Sequence, residues 1–378
     1  MKFSDITGHE AVKQRLRTMA ESGRLPHALL LEGPAGVGKL SMARAFAQYN
    51  NCSARTPDRE PCGHCPSCLQ MQNFNHIDTI YSFPVVKPEG AQTAPVSDDF
   101  LAEWRSFLTE DPYADFDRWV RTFNKPNARP VIYVTESNDL IHKLSFSSRT
   151  VRYRTVILWL PERMNEETAN KLLKMIEEPY PDTLILMVSN EPKAILPTIY
   201  SRLQRIRMGR LSDEEVAGEL MRRDGLDAED ARAIAHLAEG SMTAARKALS
   251  VSATAREDLE RFISLMRLAY VRDAAQLREW ANDLAATGRE AELRFYTYAA
   301  RMVRESFMSN FHNPALSFMN SAEGSFVSRF GRFITVANAP GIITTFEEAA
   351  TDIAGNANGK VVNFDVAVKM MILLKQQA

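Results

Sequence analysis

Two groups of residues in this 378-residue chain have the types and spacing to do chemistry. The first is Gly33-Pro34-Ala35-Gly36-Val37-Gly38-Lys39-Leu40, which follows the apolar run Ala28 to Leu31. Gly33, Gly38 and Lys39 fit the phosphate-loop pattern G-x-x-x-x-G-K-[ST]. In that pattern glycines let backbone N–H groups face phosphate oxygens, the lysine reaches the outer phosphates, and a hydroxyl holds Mg²⁺. Leu40 replaces the hydroxyl here, and Ser41 is turned by about 100° around the helix that follows. The second group is Cys52, Cys62, Cys65 and Cys68, all the cysteines of the chain, spaced C-x9-C-x2-C-x2-C. Four thiolates at one point make a closed tetrahedral Zn²⁺ site with no position for water, so the spacing predicts a structural metal. The alternatives are free or disulfide-paired thiols, or His64 in place of one cysteine.

A third position bears on the first. A phosphate-loop ATPase normally ends a neighbouring buried strand with an aspartate for the metal, often followed by a glutamate that orients water. The apolar run Val156 to Leu160 is of strand length but continues Pro161-Glu162. Glu162 falls one residue late and behind a proline, which makes it a poor base. Asn190 follows the next apolar run, Leu184 to Val188.

The elements that must position these groups follow from periodicity. Ile6, Val12, Leu16 and Met19 recur at helical spacing ahead of Gly23, and Met42, Ala43, Phe46 and Ala47 mark a helix after Lys39. Asn165 caps a helix that closes before Pro179, and residues 196–206 return the chain to a last strand. Apolar strands alternating with helices predict a doubly wound parallel α/β domain of about 200 residues. Residues 83–130 read as an insertion with two short helices, marked by Leu101, Trp104 and Leu108 and by Phe116, Trp119, Val120 and Phe123. Its aromatics, interleaved with Arg105, Arg118 and Arg121, are expected to pack on the parent domain in preference to forming a nucleic-acid surface. From Leu211 the strands stop. Ser212 to Glu215 forms a capping box, Asp227 opens a second helix, and Gly240-Ser241 precedes a third. Beyond about Val251 the pattern stays helical, with Leu259, Phe262, Ile263 and Met266 on one face and a turn at Gly355 to Gly359 before the final helix.

A formal net charge of −1 argues against strong DNA binding by the chain's own electrostatics. The start Met1 to Asp5 has no apolar signal segment, and no stretch approaches membrane-span length, which predicts a cytoplasmic protein.

Several motifs together carry a resemblance: Leu25-Pro26-His27-Ala28 before the loop, the four cysteines after its helix, Ala169-Asn170-x-Leu172-Leu173-Lys174-x-x-Glu177-Glu178-Pro179, and Ser201-Arg202. Their order resembles the clamp-loader AAA+ proteins of bacterial DNA replication, the delta-prime and gamma/tau subunits of DNA polymerase III, across most of residues 1–250. The resemblance implies an AAA+ phosphate-loop core at 1–208, carrying a zinc module at about 52–68 and a family-variable insertion at about 83–130. It also implies an all-α lid at 209–250 and an all-α collar for oligomerisation at 251–378.

Departures from the family shape the expected function. Its ATPase members carry Thr or Ser where this chain has Leu40, acidic residues at Leu160 and Pro161, and an arginine that senses the γ-phosphate at Thr243. Both metal-holding groups are absent, so hydrolysis is expected to be negligible. Gly33, Gly36, Gly38 and Lys39 leave weak binding of ATP, ADP or another anion as an expectation. Asn190, at the family's first sensor position, is expected to be structural. The family's Ser-Arg pair sends an arginine into a neighbouring subunit's ATP site, which implies that role for Arg202; the alternative is a surface arginine in a salt bridge of little energy. The implied function is a non-hydrolysing subunit of the DNA polymerase III holoenzyme that helps place the sliding clamp on primed DNA. Its partners would be gamma/tau and delta subunits, and its share of the chemistry Arg202. The rivals are an active gamma/tau-type ATPase using a shifted ligand such as Glu162, and a zinc-bearing DNA-binding module.

Overall fold

The computed structural model describes residues 1–23, 25–113, 115–125, 128–145, 152–310 and 321–375. Strands β1 (Ala28–Glu32), β2 (Thr79–Ser82), β3 (Arg154–Trp159), β4 (Thr183–Ser189) and β5 (Gln204–Arg207) form one parallel sheet in the order β2-β3-β4-β1-β5. Alternate residues of the central strands enter two different cores. Leu29, Leu31, Ile157, Trp159, Leu186 and Val188 face one side, and Leu30, Val156, Leu158, Ile185 and Met187 face the other. Burial on both faces is why these strands read as unbroken apolar runs.

The first face is covered by α1 (Glu10–Glu21) and α2 (Lys39–Asn51), followed in sequence by the short α3 (Pro66–Gln72). The insertion adds α4 (Leu101–Glu110) and α5 (Phe116–Arg121) to the same face. The other face is covered by α6 (Val134–Ser145), α7 (Glu166–Glu177) and α8 (Pro197–Tyr200), through Leu140, Leu144, Leu172, Ile176 and Ile199. The result is three layers, helices on both sides of a parallel sheet. As expected, α7 begins at an Asn165 cap, whose side chain accepts from the Thr168 amide at 2.8 Å.

The insertion packs inward. Trp104 stacks on Phe83 with centroids 4.1 Å apart, and Trp119 meets Trp104 edge-on at 5.1 Å. Trp119 also donates to the Pro84 carbonyl at 2.7 Å. The Arg118 guanidinium lies over the Phe107 ring at 4.4 Å, so this arginine is bound within the domain.

Two boundaries and two elements differ from the sequence reading. Leu160 has left β3 and takes a left-handed conformation at φ 60°, so the strand ends one residue before the apolar run does. Ile6 lies ahead of α1, buried after a short 3₁₀ turn at Phe3–Asp5. The edge strand β2 and helix α6 were not anticipated.

The chain divides into two compact units, Met1–Leu249 and Ser250–Ala378. In the first, α9 (Asp213–Asp224), α10 (Ala228–Ala238) and the start of α11 (Met242–Val271) build a small core from Leu211, Val216, Leu220, Ala231, Ala235 and Met242. The insertion contributes Tyr113 to that core. Helix α11 is continuous through residue 250. The second unit contains the rest of α11 with α12 (Ala274–Ala286), α13 (Arg289–Ser309), α14 (Ser321–Phe330), α15 (Ala339–Ala354) and α16 (Gly359–Leu373). Phe262, Phe295, Tyr296, Met302, Ile342, Phe346 and Met370 are in its core. Among the described residues no helix is long and apolar enough to cross a membrane.

Candidate phosphate-loop and cysteine sites

The loop from Gly33 to Gly38 leaves the C-terminal end of β1, flanked in the sheet by β4 and β5, and opens α2. Gly36 and Gly38 have φ of +80° and +89°, a region costly for other residues. A Cβ at Gly36 would lie 2.1 Å from Ser241 Oγ, because the start of α11 rests on the loop.

Five consecutive loop carbonyls are taken by the chain itself. Lys39 Nζ donates to Gly33 O at 2.8 Å and to Pro34 O. Ser241 Oγ donates to Ala35 O at 3.1 Å, and the Met242 amide donates to Gly36 O at 2.9 Å. The His9 ring meets Val37 O through Nε2 at 3.0 Å. Lys39 is 4% exposed, and burial brings its ammonium down to about 7, with the Glu162 carboxylate pulling the other way. The lysine that the pattern assigns to phosphate is thus turned onto its own loop.

Neither residue at the metal position is free to hold an ion. Leu40 is packed in the core, and Ser41 Oγ donates to the Pro112 carbonyl of the insertion. Glu162 Oε1 accepts from the amides of Asn190 at 2.9 Å and Glu191 at 3.2 Å, so it fixes the exit of β4. Thr243 abuts Gly36, and its hydroxyl is buried without a hydrogen-bond partner among the described residues.

The structure also brings in residues that no motif marks. Tyr113, 2% exposed, donates through its hydroxyl to Thr7 Oγ1 at 2.9 Å while its ring packs in the α9 to α11 core. Beside it Arg246 pairs with Asp111 at 2.6 Å and lies over the Tyr113 ring. Residues 111–113 therefore tie the three-helix module to the start of α2. Single residues meeting across more than 100 positions leave no local pattern in the sequence, so the tie exists only in the folded chain.

Cys52, Cys62, Cys65 and Cys68 converge, with their sulfurs all within 4.8 Å of one another and no disulfide among them. Sγ of Cys62 and Cys68 are 3.9 Å apart, close to the ~3.8 Å edge of a tetrahedron with Zn–S near 2.3 Å. Backbone amides already point at the sulfurs: Cys62 N to Cys52 Sγ at 3.2 Å, Cys65 N to Cys62 Sγ at 3.3 Å and Cys68 N to Cys65 Sγ at 3.5 Å. Burial opposes ionisation of Cys65, but hydrogen bonds from Ser53 and Cys68 outweigh it and bring the thiol down to about 6. Burial pushes Cys68 up to about 12. His64 is exposed and turned to the Cys62 carbonyl at 3.1 Å, outside the sulfur cluster. The four donors fit a Zn²⁺ ion.

Arg202, just beyond α8, has partners in its own chain, a surface ion pair of the kind the sequence reading held as its alternative. Its Nε meets Glu177 Oε1 at 2.6 Å, and the guanidinium donates to the Thr198 carbonyl at 2.7 Å. Both members of the pair are about two-fifths exposed, at 40% and 46%, so it is worth about 0–1 kcal/mol and is readily exchanged for another partner.

Residues 8–212 match the family described as DNA polymerase III, delta subunit. The DNA polymerase III subunit delta′ of Pseudomonas aeruginosa is 31% identical over 176 residues, covering 47% of this chain and 41% of that protein. The tau subunit of Bacillus subtilis is 25% identical over 219 residues, 58% of this chain and 31% of that protein. For the tau subunit of Escherichia coli the figures are 24% over 252 residues, 66% and 32%. The chain thus spans less than half the length of these curated relatives. A solved DNA polymerase III gamma-subunit-related protein of Thermotoga maritima aligns over 95% of this chain and 99% of its own at 13% identity. The TM-score of that alignment is 0.31.

Proposed function

This chain belongs to the DNA polymerase III delta-subunit family of clamp-loader AAA+ proteins, and on that premise we propose that it is a loader subunit that hydrolyses no ATP itself. One observation carries the reading: the loop of Gly33, Gly36, Gly38 and Lys39 is closed upon itself, with Lys39 on Gly33 and Pro34 and with Leu40 at the metal position. Phosphoryl transfer rests on positioning and charge stabilisation around metal and phosphate, and the groups that would supply both are missing or committed elsewhere. Backbone N–H groups remain at the loop, so ATP or ADP binds weakly and only after α11 and Lys39 give way.

In this reading residues 1–208 form the AAA+ core, 209–250 the lid and 251–378 the collar that packs with gamma/tau and delta subunits in a ring. Cys52, Cys62, Cys65 and Cys68 hold a structural Zn²⁺, which crosslinks the end of α2 to α3 and leaves no position for substrate. Arg202 leaves Glu177 on assembly and enters the ATP site of a neighbouring gamma/tau subunit. There an arginine supplied in trans is worth about 10³ to 10⁵ in rate. The assembled ring then opens the sliding clamp and sets it on primed DNA.

The test is ATP turnover by the isolated chain, together with its mixing with gamma/tau and delta. A defined complex and no turnover above the Lys39→Ala background support the reading. Turnover that Lys39→Ala abolishes would make the chain an active gamma/tau-type ATPase instead.

A further inference from the structure

Away from both sites, α2 carries a buried charge that the proposed function does not use. Arg44 is 8% exposed and has no carboxylate partner among the described residues. Its guanidinium lies over the Phe74 ring at 4.3 Å, and burial lowers its pKa, with the Tyr81 hydroxyl pulling the other way. A cation held in the interior without a counter-charge is costly, and an anion brought to it offsets that cost.

Arg44 lines a cavity of about 510 Å³ that opens to solvent between α2, the end of α4 and the end of α9. Two more arginines, Arg222 and Arg223 of α9, line the same space. Arg222 also holds Glu219 by two bonds of 2.8 Å, and Arg223 reaches Glu219 at 3.9 Å. The acid lining the cavity is Asp5, whose Oδ2 accepts from the Lys2 amide at 2.6 Å. The amino group of Met1 donates to Gln48 Oε1 at 2.9 Å. Three guanidinium groups therefore face one space, and the innermost has no carboxylate of its own.

We infer that this cavity is a binding site for a phosphate group, received by Arg44 within and by Arg222 and Arg223 at the mouth. Guanidinium forks match phosphate oxygens in pairs, and a partly buried arginine does so with less competition from water. The site is separate from the Gly33 to Lys39 loop, none of whose residues line it. The phosphate comes either from a free anion such as pyrophosphate or from the backbone of a nucleic acid.

The experiment titrates the full chain with pyrophosphate at constant ionic strength and reads both Tm and calorimetric binding. A 20-nucleotide single strand is the second probe. Each variant serves as its own reference, so a changed baseline stability does not matter. Pyrophosphate is expected to raise Tm by about 2 to 4 °C. That rise persists in Lys39→Ala and is lost in Arg44→Met, and at least halved in Arg223→Gln, whose side chain is 38% exposed and whose removal leaves the fold in place. If the oligonucleotide binds, competes with pyrophosphate and fails in the same variants, the natural source is a nucleic-acid backbone. If it does not bind, the source is a free anion. No shift with either probe, a shift unchanged in Arg44→Met and Arg223→Gln, or a shift lost only in Lys39→Ala would overturn the inference.

Discussion

Replacing Tyr113 by alanine will loosen helices α9 to α11 from the phosphate loop while leaving the sheet intact. Tyr113 is 2% exposed, its ring packs with Leu211, Val216 and Leu220, and its hydroxyl reaches Thr7. Truncating a buried aromatic of this kind costs about 3–5 kcal/mol, whereas Tyr113→Phe removes only the hydroxyl bond at about 0.5–1.5 kcal/mol. The bond most exposed to the change is Met242 N–H to Gly36 O at 2.9 Å. Hydrogen exchange at the Met242 amide reads it directly, since about 1.4 kcal/mol of local stability corresponds to a tenfold change in protection. Tyr113→Ala is expected to accelerate exchange there by about 100-fold or more, and Tyr113→Phe by about tenfold or less. Amides of β1 and β4 are expected to slow-exchange nearly as in the parent protein. A change under threefold at Met242, or an equal loss across β1 and β4, would refute the role of residues 111–113 as the tie between helical module and loop.

Two further outcomes follow from the sites. The purified protein is expected to carry one Zn²⁺ by atomic absorption, and Cys68→Ser is expected to lose it at a cost above about 2 kcal/mol in urea unfolding, with His64→Ala retaining metal and stability. Lys39 gives a pH signature: its folded pKa, about 7, lies below its ordinary 10.5, so the unfolded chain binds more protons between those values. Stability from this group therefore rises as pH increases from about 7 towards 10, by up to about 1.4 kcal/mol per pH unit, and Lys39→Met removes that slope. Urea midpoints of both proteins from pH 6 to 10 measure it, and parallel curves would show that folding does not lower the Lys39 pKa, so that the group stays charged in the native state.

Much of the parallel core was legible because strands buried on both faces are written as apolar runs, as at Leu184 to Val188, and because caps such as Asn165 and Ser212 mark helix starts. β2 was not, since Thr79–Ser82 is a four-residue edge strand with one residue of strongly apolar character, Ile80. The loop's residues were legible as a motif, but its closed state was not. That state depends on Ser241, Met242 and His9, which reach Ala35, Gly36 and Val37 only after the chain has folded. The cysteine cluster was the reverse case: spacing alone brought four thiols together, and geometry then separated His64 from them. Arg202 stood on motif alone, and its pairing with Glu177 across 25 positions has no signature in either residue.

The central claim, that this chain's part in ATP chemistry is an arginine lent to a neighbour, is tested by one measurement. Clamp-dependent ATPase is compared for loaders reconstituted with gamma/tau, delta and either the parent chain or Arg202→Ala. The exposed Arg202 to Glu177 pair contributes about 0–1 kcal/mol, so the variant is expected to fold and assemble normally. A fall in turnover at the adjoining site of about 10³-fold or more, with complex formation unchanged, is the predicted result. Full turnover in a complete complex carrying Arg202→Ala would contradict it.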